Sequence, residues 1–333
     1  MIISRTPFRI SFFGGGTDYP VWYRENTGAV LATTIDKFCY ITCRILPPFF
    51  EFKHRIVYSL TELVRNIDEI RHPAVREVLR YMKINDGLEI HHDGDLPART
   101  GLGSSSSFSV GLLHALHTMN GEELSRMQLA REAIHLEQDI LKENVGSQDQ
   151  VLAAFGGFNR IEFGGKNNVD VKPVEVSPPR LESLQGHLML FFTGLSRTAS
   201  EVAAEQIRQT PNKKPELTEM LGMVDEAIGI LRGKGDLAEF GKLLHNSWQI
   251  KRSLTVNIST PAVDGIYAAA RNAGAIGGKL LGAGGGGFII FFVKPELQSA
   301  VREALRGVLR VPFRFETGGS QIVFNEPEAK YQI

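Results

Sequence analysis

The alternation of apolar and polar residues predicts a strand-rich first part of the chain. Residues 9–13 (Arg-Ile-Ser-Phe-Phe) alternate and then stop at three consecutive glycines. Other short segments are rich in β-branched and aromatic residues and are also predicted to be strands. They are 29–35, 38–46, 87–92, 157–163 and 169–176.

Helices are predicted between these strands. Residues 61–70 and 74–83 have a helical pattern, and 104–117 is apolar on almost every side, which is typical of a buried helix. A further helix is predicted to begin after Ser125, because Gln128 three residues later completes a capping box, and to run to about residue 142.

The order of elements changes after Pro178-Pro179, which we interpret as a domain boundary. Strands are predicted at 187–193, 275–281, 287–293 and 312–316, and helices at 198–209, 216–232, 236–254, 261–273 and 296–307. With neighbouring helices grouped, the order is β-α-β-β-α-β, which is typical of a ferredoxin-like fold. We therefore predict an α+β protein with domains at 1–183 and 184–333.

Composition and charge exclude several classes of protein. The 333 residues are 43% hydrophobic and 22% charged, and 37 basic side chains balance 37 acidic ones. A nucleic-acid-binding protein usually has a basic surplus. No apolar run approaches the roughly 18–20 residues of a membrane span, and two cysteines cannot build a disulfide framework. We expect a soluble cytoplasmic protein that binds neither nucleic acid nor membrane.

A glycine- and serine-rich segment at 97–107 predicts a phosphate-binding site. The residues concerned are Pro97, Gly101, Leu102, Gly103, Ser104, Ser105 and Ser106, and a helix is predicted to follow them directly. The first turn of a helix presents unpaired N–H groups, and serine hydroxyls add donors and a possible Mg²⁺ ligand. The alternative is a helix capped by Ser104 after a flexible loop. Walker A, nucleophile-elbow and protein-kinase motifs are absent.

A second glycine-rich segment lies at 277–287, where seven of eleven residues are glycine. Residues 282–287 match the dinucleotide-binding pattern, but that motif must be followed by a helix, and the apolar run 288–293 predicts a strand. This argues against a dehydrogenase. We interpret the segment as a backbone wall that approaches another loop or a ligand, with a tight hairpin as the alternative.

Two acidic residues follow the serine-rich segment. Glu137 lies on the apolar face of its predicted helix, so its carboxylate needs a partner, either a cation or a buried basic side chain. Asp149 follows a glycine turn and precedes an apolar segment. It could be a local backbone acceptor, but beside a phosphate-binding loop it becomes a candidate base.

Three segments in this order resemble the GHMP kinases, the family of galactokinase, homoserine kinase and mevalonate kinase. They are the strand and polar turn at 5–20, the Gly-Leu-Gly-Ser-Ser loop at 101–105 and the glycine-rich segment at 279–287. The resemblance spans the whole chain. It implies a two-domain fold, with a mixed α/β first half and a ferredoxin-like second half, and an active site between them.

Carried over position by position, the resemblance implies a role for each candidate residue. Asp149 would orient or deprotonate the acceptor hydroxyl, and Arg9 would stabilise Asp149 and the transferring phosphoryl group. Ser105 and Glu137 would bind Mg²⁺, with Ser104 as an alternative to Ser105. The loop from Pro97 to Ser106 would bind ATP. The substrate would contact Gly14, Gly15, Gly16, Thr17, Asp18, Arg197, Gly284 and Gly285. Lys251, Arg252 and Lys279 are weaker candidates for holding a sugar phosphate, and for these three solvated surface charge is the expected state.

The implied function is an ATP-dependent sugar kinase, acting as a monomer or homodimer. Galactokinase has Glu-His-Thr-Asp where this chain has Gly-Gly-Thr-Asp at 15–18, and the smaller residues suit a larger, phosphorylated sugar. The resemblance favours phosphorylation of a heptose 7-phosphate on its anomeric hydroxyl. The alternatives are a fucokinase-like or other sugar 1-kinase and a non-catalytic sensor of sugar or ATP.

Overall fold

The computed structural model describes residues 1–98, 100–165, 168–194 and 199–326. Its strands are β1 (Ile2–Phe13), β2 (Gly28–Ile45), β3 (His54–Val57), β4 (Thr61–Val64), β5 (Leu88–Gly94), β6 (Phe158–Gly164), β7 (Asn168–Pro173), β8 (Leu188–Phe192), β9 (Ala275–Leu280), β10 (Phe288–Val293), β11 (Leu309–Val311), β12 (Phe315–Glu316) and β13 (Gln321–Asn325).

The α-helices pack against both sheets. They are α1 (Pro20–Tyr23), α2 (Pro73–Tyr81), α3 (Ser104–Met119), α4 (Arg126–His135), α5 (Gln148–Phe155), α6 (Pro178–His187), α7 (Ala199–Gln209), α8 (Lys214–Arg232), α9 (Ala238–Leu254), α10 (Pro261–Asn272) and α11 (Gln298–Ala304). Short 3₁₀ turns lie at Ile67–Glu69, Thr210–Asn212 and Pro295–Leu297.

The first sheet is built around β2. This strand is 18 residues long and pairs with β1 on one side, while β6 and β5 pair with its first and second halves on the other. The main strand order is β13-β1-β2-β5-β3-β4. Helix α3 packs across β1 and β2, so its first turn meets the middle of the sheet.

The second sheet is antiparallel, with strand order β11-β8-β10-β9. The predicted ferredoxin-like arrangement of the second half is therefore confirmed. Helix α9 packs on β9 and β10 and also contacts β1, which joins the two sheets through one apolar core. The division at 183/184 stays a prediction.

One prediction of local structure in the first half was wrong. Residues 61–70 form β4 and a 3₁₀ turn instead of a helix, because Thr61–Val64 pairs with β3 and β-branched residues favour that pairing. Pro178 and Pro179, the predicted domain boundary, are part of a helix, and the boundary itself stays a prediction. They lie in the first turn of α6, where proline is tolerated because the N–H that it lacks would have no helical partner.

The predicted strand at 312–316 was also wrong. The last strand of the second sheet is β11, and the chain then returns to the first sheet. There β12 pairs with β2, and β13 pairs with β1. These pairings between distant parts of the sequence leave no local periodicity in the chain.

The predicted capping box at Ser125 is confirmed, since the Ser125 hydroxyl accepts from the Gln128 N–H and the Gln128 side chain accepts from the Ser125 N–H. The helix was expected to continue to residue 142, but it changes to a π-helical segment at Leu136–Ile140. Among the described residues, the helices are too short or too polar to cross a bilayer.

Candidate active site

Arg9 and Asp149 form the centre of the site. Arg9 Nε donates to Asp149 Oδ1 at 2.6 Å, and a terminal nitrogen donates to Oδ2 at 2.7 Å. This bidentate geometry fixes the orientation of both side chains. The Arg9 side chain is 6% exposed, whereas Asp149 is 23% exposed. The carboxylate is therefore accessible from the cleft while the guanidinium lies beneath it.

The backbone of the serine-rich segment lies directly beside this pair. The other terminal nitrogen of Arg9 donates to the Gly101 carbonyl oxygen at 2.6 Å, and the Arg9 N–H donates to the Leu102 carbonyl. A Cβ atom on Gly103 would lie 3.3 Å from Asp149 Oδ2. The start of α3 and the carboxylate of Asp149 therefore meet at one point, as the sequence analysis required.

The N-cap residue of α3 is Gly103, with a left-handed φ of 75°. Ser104, Ser105 and Ser106 follow inside the first turn, so the serines are not needed as N-caps. Ser105 is exposed and Ser106 is buried. Helix N–H groups and hydroxyls are thus gathered at the end of α3, which can accept an anionic group.

The loop that leads into α3 is anchored by Thr100. Its hydroxyl donates to the carbonyl of Pro97, a residue whose ring is exposed. Leu102 is fully buried and contributes to the core. Only the backbone of Leu102 therefore faces the site, through the carbonyl that accepts from Arg9.

The glycine-rich segment is a backbone wall against this loop, as predicted. A Cβ on Gly282 would lie 2.3 Å from Gly101 Cα, and one on Gly287 would lie 2.3 Å from the Thr100 carbonyl oxygen. Gly284 and Gly285 face a different neighbour, the backbone of Ile258. Close approach of two backbones therefore explains why side chains are absent at 282 and 287.

Glu137 lies in the π-helical segment and is fully buried. Ser106 donates to its Oε2 at 2.8 Å, and Gln150 donates to the same oxygen. Burial raises the pKa of the Glu137 carboxyl to about 7. Ser106, and not the predicted Ser105, is thus the serine in contact with this carboxylate.

The oxygen atoms of Glu137 and the neighbouring serines fit a hard divalent cation. Its Oε1 forms no hydrogen bond of normal geometry with any described residue, although the Ser109 hydroxyl lies nearby. Carboxylate and hydroxyl oxygens are the ligands that Mg²⁺ prefers, and a cation would satisfy the unpaired oxygen.

Asp18 is 2% exposed, and both of its carboxylate oxygens have partners within the protein. Oδ1 accepts from the Gly16 N–H and Oδ2 from the Gln148 side chain, each at 2.9 Å. Burial, together with the nearby Asp149, raises the pKa of Asp18. A Cβ on Gly146 would lie 1.9 Å from Oδ2, so this turn tolerates no side chain.

The polar turn before Asp18 is held by Thr17. Its hydroxyl donates to the carbonyls of Gly14 and Ala29 and accepts from the Ala29 N–H. Gly16 abuts the side chains of α7 and α8, and Gly15 is the most accessible residue of the turn. The structure thus brings the turn to the site but presents it mainly through its backbone.

The three weaker basic candidates differ from the expectation of solvated charge. Lys251 and Lys279 are buried, so that expectation was wrong for both. Arg252 is partly exposed, forms an ion pair with Asp264 and stacks on Trp248. Arg197 lies outside the described residues.

Two functional candidates that were not predicted from the sequence are the glutamines that flank Asp149. Gln148 holds Asp18, and Gln150 holds Glu137, so consecutive residues of α5 connect three carboxylates. The signal was the unbroken polar run 147–150 ahead of an apolar helix, because a buried amide usually has a specific hydrogen-bond partner.

Comparisons with known proteins match this chain to one family. A model described as "GHMP kinases N terminal domain" matches residues 69–157, and one described as "GHMP kinases C terminal" matches 223–310. Together the two ranges cover just over half of the chain.

Individual relatives are similar over most of the chain. A D-glycero-alpha-D-manno-heptose 7-phosphate kinase from Campylobacter jejuni is 29% identical, across 92% of this chain and 93% of its own length. An L-fucokinase/L-fucose-1-P guanylyltransferase from Bacteroides fragilis is 25% identical, across 91% of this chain but 35% of its own length.

A solved structure of a D-glycero-D-manno-heptose 1-phosphate kinase from Bacteroides thetaiotaomicron has the same fold. It superposes with a TM-score of 0.78 at 24% identity and covers 98% of this chain and 100% of its own.

Proposed function

Since this chain belongs to the GHMP kinase family and is an ATP-dependent sugar kinase, we propose that it phosphorylates the anomeric hydroxyl of D-glycero-D-manno-heptose 7-phosphate. The products would be ADP and the 1,7-bisphosphate. The observation that carries the proposal is the Arg9–Asp149 pair, which lies against the start of α3, where a Cβ at 103 would come 3.3 Å from Asp149 Oδ2.

In this proposal the γ-phosphate of ATP lies against the first turn of α3. The N–H groups and serine hydroxyls there would bind its oxygens, and the Gly282–Gly287 wall would hold the loop in place. Ser106 and Glu137 would hold Mg²⁺, with Ser105 available from the exposed side of the same turn. The cation would neutralise charge on the phosphate oxygens.

Asp149 would act mainly by orienting the acceptor. Both of its oxygens accept from Arg9, and each oxygen retains a second lone pair for the acceptor hydroxyl. The hydroxyl oxygen would attack the γ-phosphorus as the bond to the bridging oxygen of ADP breaks. The hydroxyl proton would pass to Asp149 late in the transfer.

The polar turn at 14–18 leaves room for a sugar beside Asp149. Gly15 is the accessible residue of the turn, and no side chain at 14–16 occupies the space beside Asp149. The Asp18 carboxylate accepts hydrogen bonds from Gly16 and Gln148, so its main role would be to hold the conformation of the turn, and not to bind a sugar hydroxyl.

An ADP-release assay tests the proposal. The purified protein is supplied with ATP, Mg²⁺ and one acceptor from a panel of heptose 7-phosphate, L-fucose, galactose, mannose and mevalonate. We expect the highest kcat/KM with heptose 7-phosphate, and a new anomeric phosphate signal in the ³¹P NMR spectrum of the product.

Each other outcome has a distinct meaning. An equal or higher kcat/KM with fucose or another unphosphorylated sugar would overturn the acceptor assignment and leave the kinase activity standing. Binding of ATP and sugar without any ADP release would identify a non-catalytic sensor.

A further inference from the structure

Two buried lysines have no part in the mechanism above. Lys251 in α9 is 6% exposed, and Lys279 in β9 is 2% exposed. Lys251 Nζ donates to the carbonyl oxygens of Leu280 and Gly282, and Lys279 Nζ donates to the Phe12 carbonyl oxygen at 2.7 Å. Within the described ranges, neither ammonium group forms an ion pair with a carboxylate.

The lysines lie beneath the acceptor side of the cleft. Phe12 is at the end of β1, directly before the turn that contains Asp18, and Gly282 is the residue packed against Gly101. Arg9 and Asp18 are close enough to shift the pKa of both lysines, Arg9 downward and Asp18 upward. The ammonium groups and the catalytic pair therefore share one electrostatic environment.

Basic groups outnumber acidic groups in this environment. The cations are Arg9, Lys251 and Lys279, and the anions are Asp149 and Asp18. Asp149 is already engaged by Arg9, and burial favours the neutral form of Asp18. Among the described residues, the amino groups of Lys251 and Lys279 donate only to backbone carbonyl oxygens, which carry partial charges.

A purely structural role does not account for this arrangement. Burying an ammonium group without a counter-anion is unfavourable, and an apolar side chain of similar length would fill the same space at lower cost. Burial, and then Arg9, lowers the pKa of Lys251 to about 8, while burial and the neighbouring Lys251 lower that of Lys279 well below its ordinary value. The site thus lacks an anion that a ligand could bring.

We propose that Lys251 and Lys279 select an acceptor that carries a phosphate group, by supplying the positive charge that the phosphate dianion balances. The proposal rests on the proposed function, because it takes a sugar as the acceptor. It favours the acceptor over ATP as the source of the anion, since Lys279 contacts the end of β1 just before the Asp18 turn and the Asp18 carboxylate acts on both lysines, while the start of α3 would serve the nucleotide. Both would be specificity residues that act through the low-dielectric interior.

Neutral variants of the same length test this role. Lys251→Met and Lys279→Met remove one charge each, and kcat/KM is measured with heptose 7-phosphate and with the same heptose lacking the phosphate. We expect the ratio of the two values to fall by roughly ten- to a hundredfold in each variant, because the lost attraction concerns only the phosphorylated acceptor.

Lys242→Met is the matched control. Lys242 lies on the same helix as Lys251 but at its exposed surface, paired with Glu239, so the ratio should not change. An equal loss with both acceptors would overturn the proposal, because it would show that the lysines only support the fold around the glycine-rich segment 277–287. A wild-type protein without preference for the phosphorylated sugar would instead remove the proposed function.

The wild-type protein gives a second test that does not depend on the folding of a variant. Binding of heptose 7-phosphate is measured calorimetrically at pH 8, near the pKa of Lys251, in buffers of different ionisation enthalpy. We expect net proton uptake, because an incoming anion raises the pKa of both lysines. Binding without proton uptake would contradict the proposal.

Discussion

Asp149 has only one direction in which it can act. Arg9 donates to both oxygens of the carboxylate. A Cβ on Gly103 would lie 3.3 Å from Asp149 Oδ2, so the start of α3 closes a second side. The rest of the carboxylate is exposed. A residue held in this way has little rotamer freedom to lose when the acceptor binds, and that lowers the entropic part of the barrier.

Replacing Asp149 by Asn separates charge from shape. The Asp149→Asn amide keeps the volume but cannot accept two bonds from Arg9 or take up a proton. We expect turnover to fall by roughly 10²–10⁴-fold, with little change in ATP affinity or in the thermal midpoint. Steady-state ADP release and ATP titration measure the two effects.

Asp170→Asn is a suitable control, because Asp170 is half-exposed on β7 and pairs with Lys172. It should leave turnover unchanged. Turnover close to that of the unsubstituted protein in Asp149→Asn would remove Asp149 from the mechanism.

At the level of elements, the glycine-rich hairpin between β9 and β10 packs against the loop before α3, which is the proposed phosphate-binding loop. Gly287 has a φ of +108°, its carbonyl accepts from the Thr193 N–H, and its missing Cβ leaves room for Thr100. The Phe288 N–H then donates to the Thr100 carbonyl. The hairpin therefore fixes the position of the loop through backbone contacts alone.

Gly287→Ala tests this coupling. The new methyl group would lie 2.3 Å from the Thr100 carbonyl oxygen, so the loop must shift. We expect a rise in the KM for ATP and a loss of about 1–3 kcal/mol of unfolding free energy from the strained backbone. ATP kinetics and urea unfolding measure both quantities.

Gly265→Ala provides the control for this substitution. Gly265 lies inside α10, where a Cβ meets no atom within 4 Å, so alanine should raise stability by about 0.5–1 kcal/mol. An unchanged KM for ATP in Gly287→Ala would mean that the hairpin does not position the loop.

At the level of the whole molecule, aromatic packing joins the two sheets. Phe240 of α9 has its ring centroid 5.5 Å from that of Phe12 and 5.2 Å from that of Phe13, both of β1. It also faces Phe292 of β10 at 6.3 Å. One fully buried side chain thus contacts both sheets, so the sheets should unfold together.

Phe240→Ala should therefore destabilise the protein by about 3–5 kcal/mol, the usual cost of removing a buried aromatic ring. We expect a lower urea midpoint and a single unfolding transition. Tryptophan fluorescence and far-UV circular dichroism, measured on the same samples, should report the same midpoint. Phe49→Ala is the control, since Phe49 is 82% exposed and should change the midpoint little. Two separate transitions would show that the sheets are independent.

Local signals were sufficient for most of the secondary structure. The alternation in residues 9–13, the capping box at Ser125 and the apolar run after Gly287 each depend on near neighbours, and each corresponds to the element predicted. The prediction for residues 312–316 was wrong because β12 pairs with β2 of the first sheet, about 280 positions earlier in the sequence. A pairing over that distance has no local pattern.

The sequence by itself determined most of the helices and strands, the glycine-rich turns and the residue types of the site, because propensity, capping and periodicity are local properties. Only the tertiary structure decided which side chains meet. It put Ser106 beside Glu137, linked Asp18 to Gln148 and buried Lys251 and Lys279 under the cleft. Burial and hydrogen-bond partners depend on residues far apart in the chain, and these set the charge of the site.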